Sequence, residues 1–263
     1  MSIELRPASS LSATERVDLF NAAYEGYVIP FRLDEAGLQF MTDAFDLDLD
    51  ASRIAFRDGE PVGLGNLGLR GDQAWIGGVG VIAAARRQGI GETVMHALHD
   101  EAAARGVTQV WLEVIEQNES AFRLYEKLAY RIVREVEVWS LSDKVPEGTA
   151  REVPTAQAHA RVRELRHAHE PWQRADATID HYDDVRGVET ESGAALFRVS
   201  SVVQLLQIAG DDSEELVRTL RGHGTVSVLN LPADDPAADS LRTLGATPTV
   251  RQREMVLNIQ PRG

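Results

Sequence analysis

The hydrophobic pattern between Ser52 and Gly91 leaves this chain little conformational choice. The period is two from Ser52 to Arg57, from Pro61 to Leu69 and from Trp75 to Val81, with breaks at Asp58-Gly59 and Arg70-Gly-Asp-Gln73. Asp-Gly between alternating apolar residues is a strong hairpin signal, so an antiparallel meander of three strands is expected. Val81 then leads through Ile-Ala-Ala-Ala-Arg86-Arg87-Gln88-Gly89-Ile90-Gly91 into a helical period that stops at Arg105-Gly106. Val110–Ile115 reads as an apolar strand, Glu119–Leu128 as a helix and Ile132–Leu141 as a closing strand. Strands alternating with helices in this way require a mixed α/β sheet.

Upstream, residues 2–7 (SIELRP) alternate like a short strand. Ser12-Ala-Thr-Glu15 is a capping-box pattern opening a helix through about Tyr24, with Leu19, Phe20, Ala23 and Tyr24 as its apolar stripe. The loop Glu25–Pro30 ends it, and a second helix is expected from Asp34 through Phe45. Residues 1–142 therefore read β-α-α-β-β-β-α-β-α-β. Residues 143–154 are polar, carry two prolines and a glycine, and read as a linker. Residues 155–263 form a second, smaller α/β domain: helix 155–170, strand 194–208, helix 212–221, strand 226–229, helix 235–244 and strand 250–259. With an offset of 116, Ala121 falls on Ala237, Leu128 on Leu244 and Ala129 on Gly245, the trace of an internal repeat.

Charge and composition exclude several functions. Net charge is −14 over 263 residues, and residues 1–50 alone carry ten acidic and three basic side chains. Nucleic-acid binding needs a basic face, so it is not expected; an acidic entrance favours a cationic substrate. There is no cysteine, which excludes disulfides, thiolate metal sites and a cysteine nucleophile. No apolar run is long enough to span a membrane and the N-terminus has no secretory pattern, so a cytoplasmic location is expected.

The chemistry concentrates in Val81–Gly91. Amides at a helix N-terminus point outward, and the helix dipole adds partial positive charge. Gly89 and Gly91 remove side chains so that a phosphate can approach the backbone, and Arg86 and Arg87 add cationic charge suited to phosphate oxygens. Asn118 opens the next helix, and Tyr125 lies about two turns further on the same face.

These residues resemble the GNAT acyltransferase superfamily. Val81, Arg86, Gly89 and Gly91 match its V-x-P-x-x-R-x-x-G-x-G motif, with Ala83 in place of proline. The run from Asn118 through Ala121, Leu124 and Tyr125 to Tyr130 matches N-x-x-A-x-x-L-Y-E-K-L-G-F, with Ala129-Tyr130 where Gly-Phe is usual. The resemblance covers about residues 2–142. It implies a mostly antiparallel sheet splayed between the strand ending at Val81 and the strand Val110–Ile115, with acetyl-CoA in the gap. It implies that backbone groups of Val79 and Val81 hold the pantetheine and acetyl carbonyl, and that amides from Gln88 through Gly89, Ile90, Gly91 and Glu92 to Thr93 hold the pyrophosphate. Asn118 is expected to touch the pantetheine arm or orient its helix. Tyr125 is expected beside the sulfur as general acid, Glu113 as candidate base, and Glu25 and Tyr27 in the acceptor pocket. The implied activity is direct transfer of an acetyl group to a small amine in a ternary complex, without metal. The competing class is a non-catalytic CoA-binding sensor or interaction protein, against which the retained Tyr125 and phosphate loop argue. In the second half Leu241 stands for Tyr125 and Asp234 for Asn118. That half is expected to be a degenerate GNAT-like domain without CoA, serving to cover the acceptor pocket, extend the core or mediate homodimerisation.

Other patterns carry less. Gly63-Leu-Gly65-Asn-Leu-Gly68 spells a dinucleotide fingerprint, but a turn and a strand follow it rather than a helix. Asp46, Asp48 and Asp50 lack the glycine of a calcium loop. His96 with His99 and His167 with His169 read as exposed helix residues.

Overall fold

The computed structural model describes residues 3–260; Ser2, expected in the first strand, lies outside the described residues. The elements of the first half are β1 (Ile3–Pro7), α1 (Ala13–Ala23), α2 (Glu35–Ala44), β2 (Arg53–Arg57), β3 (Glu60–Arg70), β4 (Gln73–Val81), α3 (Ile90–Ala104), β5 (Gln109–Ile115), α4 (Glu119–Lys127) and β6 (Arg131–Leu141). Their order is the expected one. The capping box at the start of α1 is formed, with Ser12 and Glu15 each bonding the other's backbone N–H. The β2–β3 turn is a two-residue loop in which Asp58 (φ 54°) and Gly59 (φ 87°) are both left-handed, as such hairpins require.

The second half contains β7 (Arg151–Val153), α5 (Thr155–Leu165), α6 (Asp176–Ile179), β8 (Arg186–Glu189), β9 (Gly193–Val199), β10 (Val203–Gly210), α7 (Ser213–Arg221), β11 (Val226–Pro232), α8 (Pro236–Thr243) and β12 (Thr247–Asn258). Three differences from expectation stand out. Arg151–Val153, read as linker, pair with β8; residues 194–208 form not one strand but the antiparallel pair β9–β10; and the helix from Thr155 ends at Leu165.

The chain divides into two compact units, Met1–Val133 with Met255–Gly263, and Arg134–Glu254. This division differs from the expected boundary at 142. Most of β6 belongs to the second unit, and the end of β12 belongs to the first. In the first unit the strand order is β1-β2-β3-β4-β5 and then the end of β12; in the second it is β7-β8-β9-β10-β11-β6 and then the start of β12. The strand that follows α4 in sequence therefore serves the second unit, and the end of the strand that follows α8 serves the first.

Each unit has its own core. In the first, Val94, Met95 and Leu98 of α3 pack on Ala55, Val62 and Leu67 of the meander, with Leu112 and Val114 of β5 and Met255 of β12. A Cβ on Gly65 would lie 2.5 Å from Val94 and 2.8 Å from Leu98, so this glycine admits α3 against the sheet. In the second, Trp139, Phe197, Leu216, Leu220 and Leu241 form the centre. The repeat extends to hydrogen bonds. Ala129 (φ 66°) and Gly245 (φ 88°) both take the left-handed turn that ends a helix. Tyr130 N–H donates to Tyr125 O and Ala246 N–H to Leu241 O, each at 3.0 Å and each at the offset of 116.

His99 is not an exposed helix residue. Its Nε2 lies 2.9 Å from the Tyr130 hydroxyl, and burial, aided by the nearby His96, lowers its pKa from 6.5 to about 4. Between those values the unfolded chain binds a proton that the folded chain refuses, so stability falls as pH drops through that window. The urea midpoint should decline between pH 7 and 5, and His99→Gln should flatten that decline.

Candidate active site

The parallel pairing of β4 with β5 covers only Gln73–Trp75 against Gln109–Trp111. Beyond Trp75 the strands part. Register and bonding then determine which backbone groups face the gap. Ile82 N–H donates to Val62 O (3.0 Å), and the ladder sets Val81 opposite Gly63 and Val79 opposite Gly65. Bonded and non-bonded pairs alternate in an antiparallel ladder. The backbone groups of Val79 and Val81 therefore turn away from β3, toward the side that β5 has left. A register shift beside Gly78 (φ 139°) marks a β-bulge at Gly77-Gly78.

An open cleft of about 620 Å³ follows this strand edge. One wall is the end of α1 and the loop after it, with Tyr24, Tyr27 and Val28; the other is the start of α3 with Asn118, Leu124 and Tyr125 of the α4 region. Its far end is the turn between β4 and α3. Arg87 (φ 60°) and Gly89 (φ 80°) are left-handed there, and Gly89 heads α3 with no side-chain cap. Thr93 N–H makes the first helical bond, to Gly89 O (3.0 Å). The amides of Ile90, Gly91 and Glu92 thus lack helical partners, whereas that of Thr93, expected to hold pyrophosphate, is used within the helix.

The side chains refine the expectations further. The Arg87 guanidinium takes no hydrogen bond or ion pair from the described residues and lines the cleft. Arg86 is different: its Nε donates to Val81 O (2.9 Å), and its Nη2 donates to Ala23 O (3.0 Å) and Glu25 O (2.9 Å). The guanidinium expected on phosphate oxygens is thus engaged by backbone carbonyls. Gln88 Oε1 accepts from Arg57 (2.8 Å). Glu92 would repel an anion, but Lys127 Nζ sits 2.7 Å from it, and that hydrogen bond holds the carboxyl below its usual range. Asn118 caps α4, accepting from Ala121 N–H (3.2 Å), so of its two expected roles the orienting one is visible.

Tyr125 is buried, with its ring 5.8 Å from that of Tyr130. Desolvation, with a smaller push from Tyr27, raises its phenol well above 10, so it stays protonated at neutral pH. In the sequence Tyr24 is only part of an apolar stripe, yet it lines the cleft, and burial raises its phenol likewise. A Cβ on Gly78 would collide with the Tyr24 hydroxyl, and one on Gly80 would lie 2.8 Å from Ala23 Cβ. Three glycines in the four residues Gly77–Gly80 are poor strand composition unless a neighbour must come close, and that was the signal available. Tyr27 lines the cleft; Glu25 does not, and contributes its backbone carbonyl to Arg86 instead. Glu113 does not line the cleft either. Leu112 and Val114 pack with α3, so the period of two puts Glu113 on the opposite face, where Oε2 accepts from the Trp75 indole N–H (2.9 Å).

The second unit repeats the splay: β10 and β11 pair only over Val203–Leu205 and Val226–Val228. Its own chain crosses the gap. Fully buried Gln207 donates to Arg174 O (2.6 Å), and Arg174 Nη1 reaches Leu229 O (3.4 Å). Among the described residues no cluster of three or more His, Cys, Asp or Glu forms a metal site, and no helix is long and apolar enough to cross a membrane.

Residues 17–130 match the Acetyltransferase (GNAT) family. The [ribosomal protein bS18]-alanine N-acetyltransferase of Escherichia coli K12 is 39% identical over 59 residues, 22% of this chain and 40% of that protein. The chain thus spans less than half the length of the curated relatives it matches. A GCN5-related N-acetyltransferase from Sphaerobacter thermophilus shares the fold over 98% of this chain and 96% of its own, with TM-score 0.75 and 16% identity. A tandem GNAT protein from the clavulanic acid biosynthesis pathway does so over both whole chains, with TM-score 0.64 and 14% identity. Residues 17–130 thus match the GNAT family, and the chain has a fold shared with a tandem GNAT protein.

Proposed function

We propose that this chain, whose residues 17–130 match the GNAT family, is an acetyl-CoA-dependent N-acetyltransferase that passes the acetyl group directly to an amine in a ternary complex. The observation that carries this reading is the alignment of three features along one cleft: the edge of β4 that β5 has left, with the backbone of Val79 and the N–H of Val81 turned into the gap, the uncapped start of α3, and the protonated Tyr125. Acetyl-CoA would supply an acetyl group activated as a thioester.

The residues fit that ligand. An extended pantetheine chain can add to the exposed edge of β4 as a further strand does. The amides of Ile90, Gly91 and Glu92, with the Arg87 cation, suit a pyrophosphate at the positive end of α3. Val81 N–H is turned into the gap, where it can stabilise negative charge growing on the acetyl oxygen. As the amine nitrogen bonds to the carbonyl carbon and the C–S bond breaks, Tyr125 donates its proton to the departing sulfur. Desolvation raises proton affinity for a thiolate as it does for the phenol, so donor and acceptor stay matched. Glu113, turned toward Trp75 and outside the cleft, is not placed to take the amine proton, which passes to water. The acceptor is a small amine meeting Tyr24, Tyr27 and Val28, and the acidic first fifty residues favour its cationic form in solution. The second unit holds no coenzyme, because Gln207, Arg174 and Leu229 close its gap.

The coenzyme site is tested by calorimetry on Gly91 variants. A Cβ at Gly91 would meet Leu124 at an ordinary 3.8 Å, so Gly91→Ala should fold normally. Gly91→Phe should fold too, but fill the cleft and abolish the heat of acetyl-CoA binding. Unchanged binding by Gly91→Phe would place the coenzyme elsewhere.

A further inference from the structure

Arg86 stands between the two walls of the cleft. Its three acceptors belong to different segments: Val81 O ends β4, Ala23 O ends α1, and Glu25 O lies in the loop that follows. The last carbonyls of a helix have no intrahelical donor and carry its negative dipole end, where a guanidinium is favourable. Residue 24 is the C-cap of α1, so whatever fixes that end fixes Tyr24. Tyr24 in turn stacks on Phe20 (4.4 Å between centroids) and meets Tyr27 edge-on (5.2 Å). Arg86 also opens the turn that leads to Gly89 and the start of α3. One side chain thus joins the turn beneath the coenzyme to the wall that faces the acceptor.

We infer that Arg86 is a positioning residue that couples the coenzyme turn to the acceptor wall, acting through Tyr24 and Tyr27 rather than on phosphate. The functional half of this inference rests on the acetyl-CoA reading; the tie itself does not. Its guanidinium is committed to three carbonyls from two directions, a geometry that a lysine ammonium on a flexible stem reproduces only in part. Coenzyme settling on the β4–α3 turn would steady Arg86, and with it the end of α1.

Amide hydrogen exchange over residues 22–28 reads this directly, because Tyr24 N–H bonds Phe20 O and Tyr27 N–H bonds Tyr24 O (both 3.0 Å). In the coenzyme-free protein, Arg86→Ala should speed exchange there by about tenfold and Arg86→Lys by less. Acetyl-CoA should slow exchange at these amides in the wild type and leave them unchanged in Arg86→Ala. The calorimetric Kd of Arg86→Ala for acetyl-CoA should stay within about threefold of wild type, with the same salt dependence. Unaltered exchange in Arg86→Ala overturns the tie. A Kd weakened about tenfold with a shallower salt slope overturns it in favour of a phosphate ligand. If wild type binds no acetyl-CoA, the acetyltransferase reading falls, while the coenzyme-free comparison still decides whether Arg86 holds the wall. Should Arg86→Ala not fold, Arg86→Lys carries the same comparisons.

Discussion

Tyr125→Phe is expected to lower turnover about 10²-fold or more while acetyl-CoA affinity stays within about threefold, since a positioned general acid typically contributes 10²- to 10⁴-fold. The substitution removes one oxygen and keeps the ring. That ring packs against Tyr130 and carries the burial of α4, so the fold should survive. The effect should fall on the step in which C–S cleavage places charge on sulfur, and so on kcat rather than on binding. Free-thiol release with a panel of amines gives the rate, and calorimetry gives the affinity. Equal turnover in the variant would remove Tyr125 from the chemistry. Raised burial keeps the phenol protonated, so no loss of rate from its ionisation is expected below pH 10.

A fragment ending at residue 142 is expected not to fold, although sequence alone suggests a domain boundary there. It would lose Met255, which is 1% exposed in the core of the first unit, and the β12 segment that borders β5. It would retain β6, whose Val136, Trp139 and Leu141 are 0, 0 and 1% exposed in the second unit, with no unit to bury them. Leaving one such side chain in water forfeits about 1.5–3 kcal/mol, so the three of β6 together reach the lower part of a typical domain's whole stability. The measurement is circular dichroism with size-exclusion chromatography of residues 1–142 beside the full chain. A monomeric fragment with a cooperative thermal transition would refute the argument.

Much of the fold was legible. Elements whose signals are local came out in the expected order: the capping box at Ser12, the Asp58-Gly59 hairpin, the strand–glycine–helix passage from Val81 to Gly91, and the helix ends at Ala129 and Gly245. Each depends on backbone preferences within a few residues. The paired strands β9 and β10 look like one in sequence because Val199–Val203 offers no glycine or proline to mark the turn. At the site, types and spacing single out Gly89, Gly91, Asn118 and Tyr125, which line one cleft, but not the partners of their neighbours. Arg86 looks like a phosphate ligand in sequence because arginine suits phosphate. That its guanidinium goes instead to Val81, Ala23 and Glu25 depends on where α1 ends, some sixty residues away. Glu113 lies outside the cleft because the register of β5 turns it toward Trp75.

The sequence by itself determined the order of helices and strands in residues 1–142, which turn leaves the amides of a helix start uncapped, and that the two halves share a pattern at an offset of 116. Tertiary structure alone decided which unit receives β6 and the end of β12, which backbone groups of Val79 and Val81 face the gap, and that Tyr24 joins the site. The physical reason is range. Capping, turn geometry and periodicity are settled between residues a few positions apart. Strand exchange, ladder phase and side-chain convergence depend on distances between segments that the chain brings together only on folding.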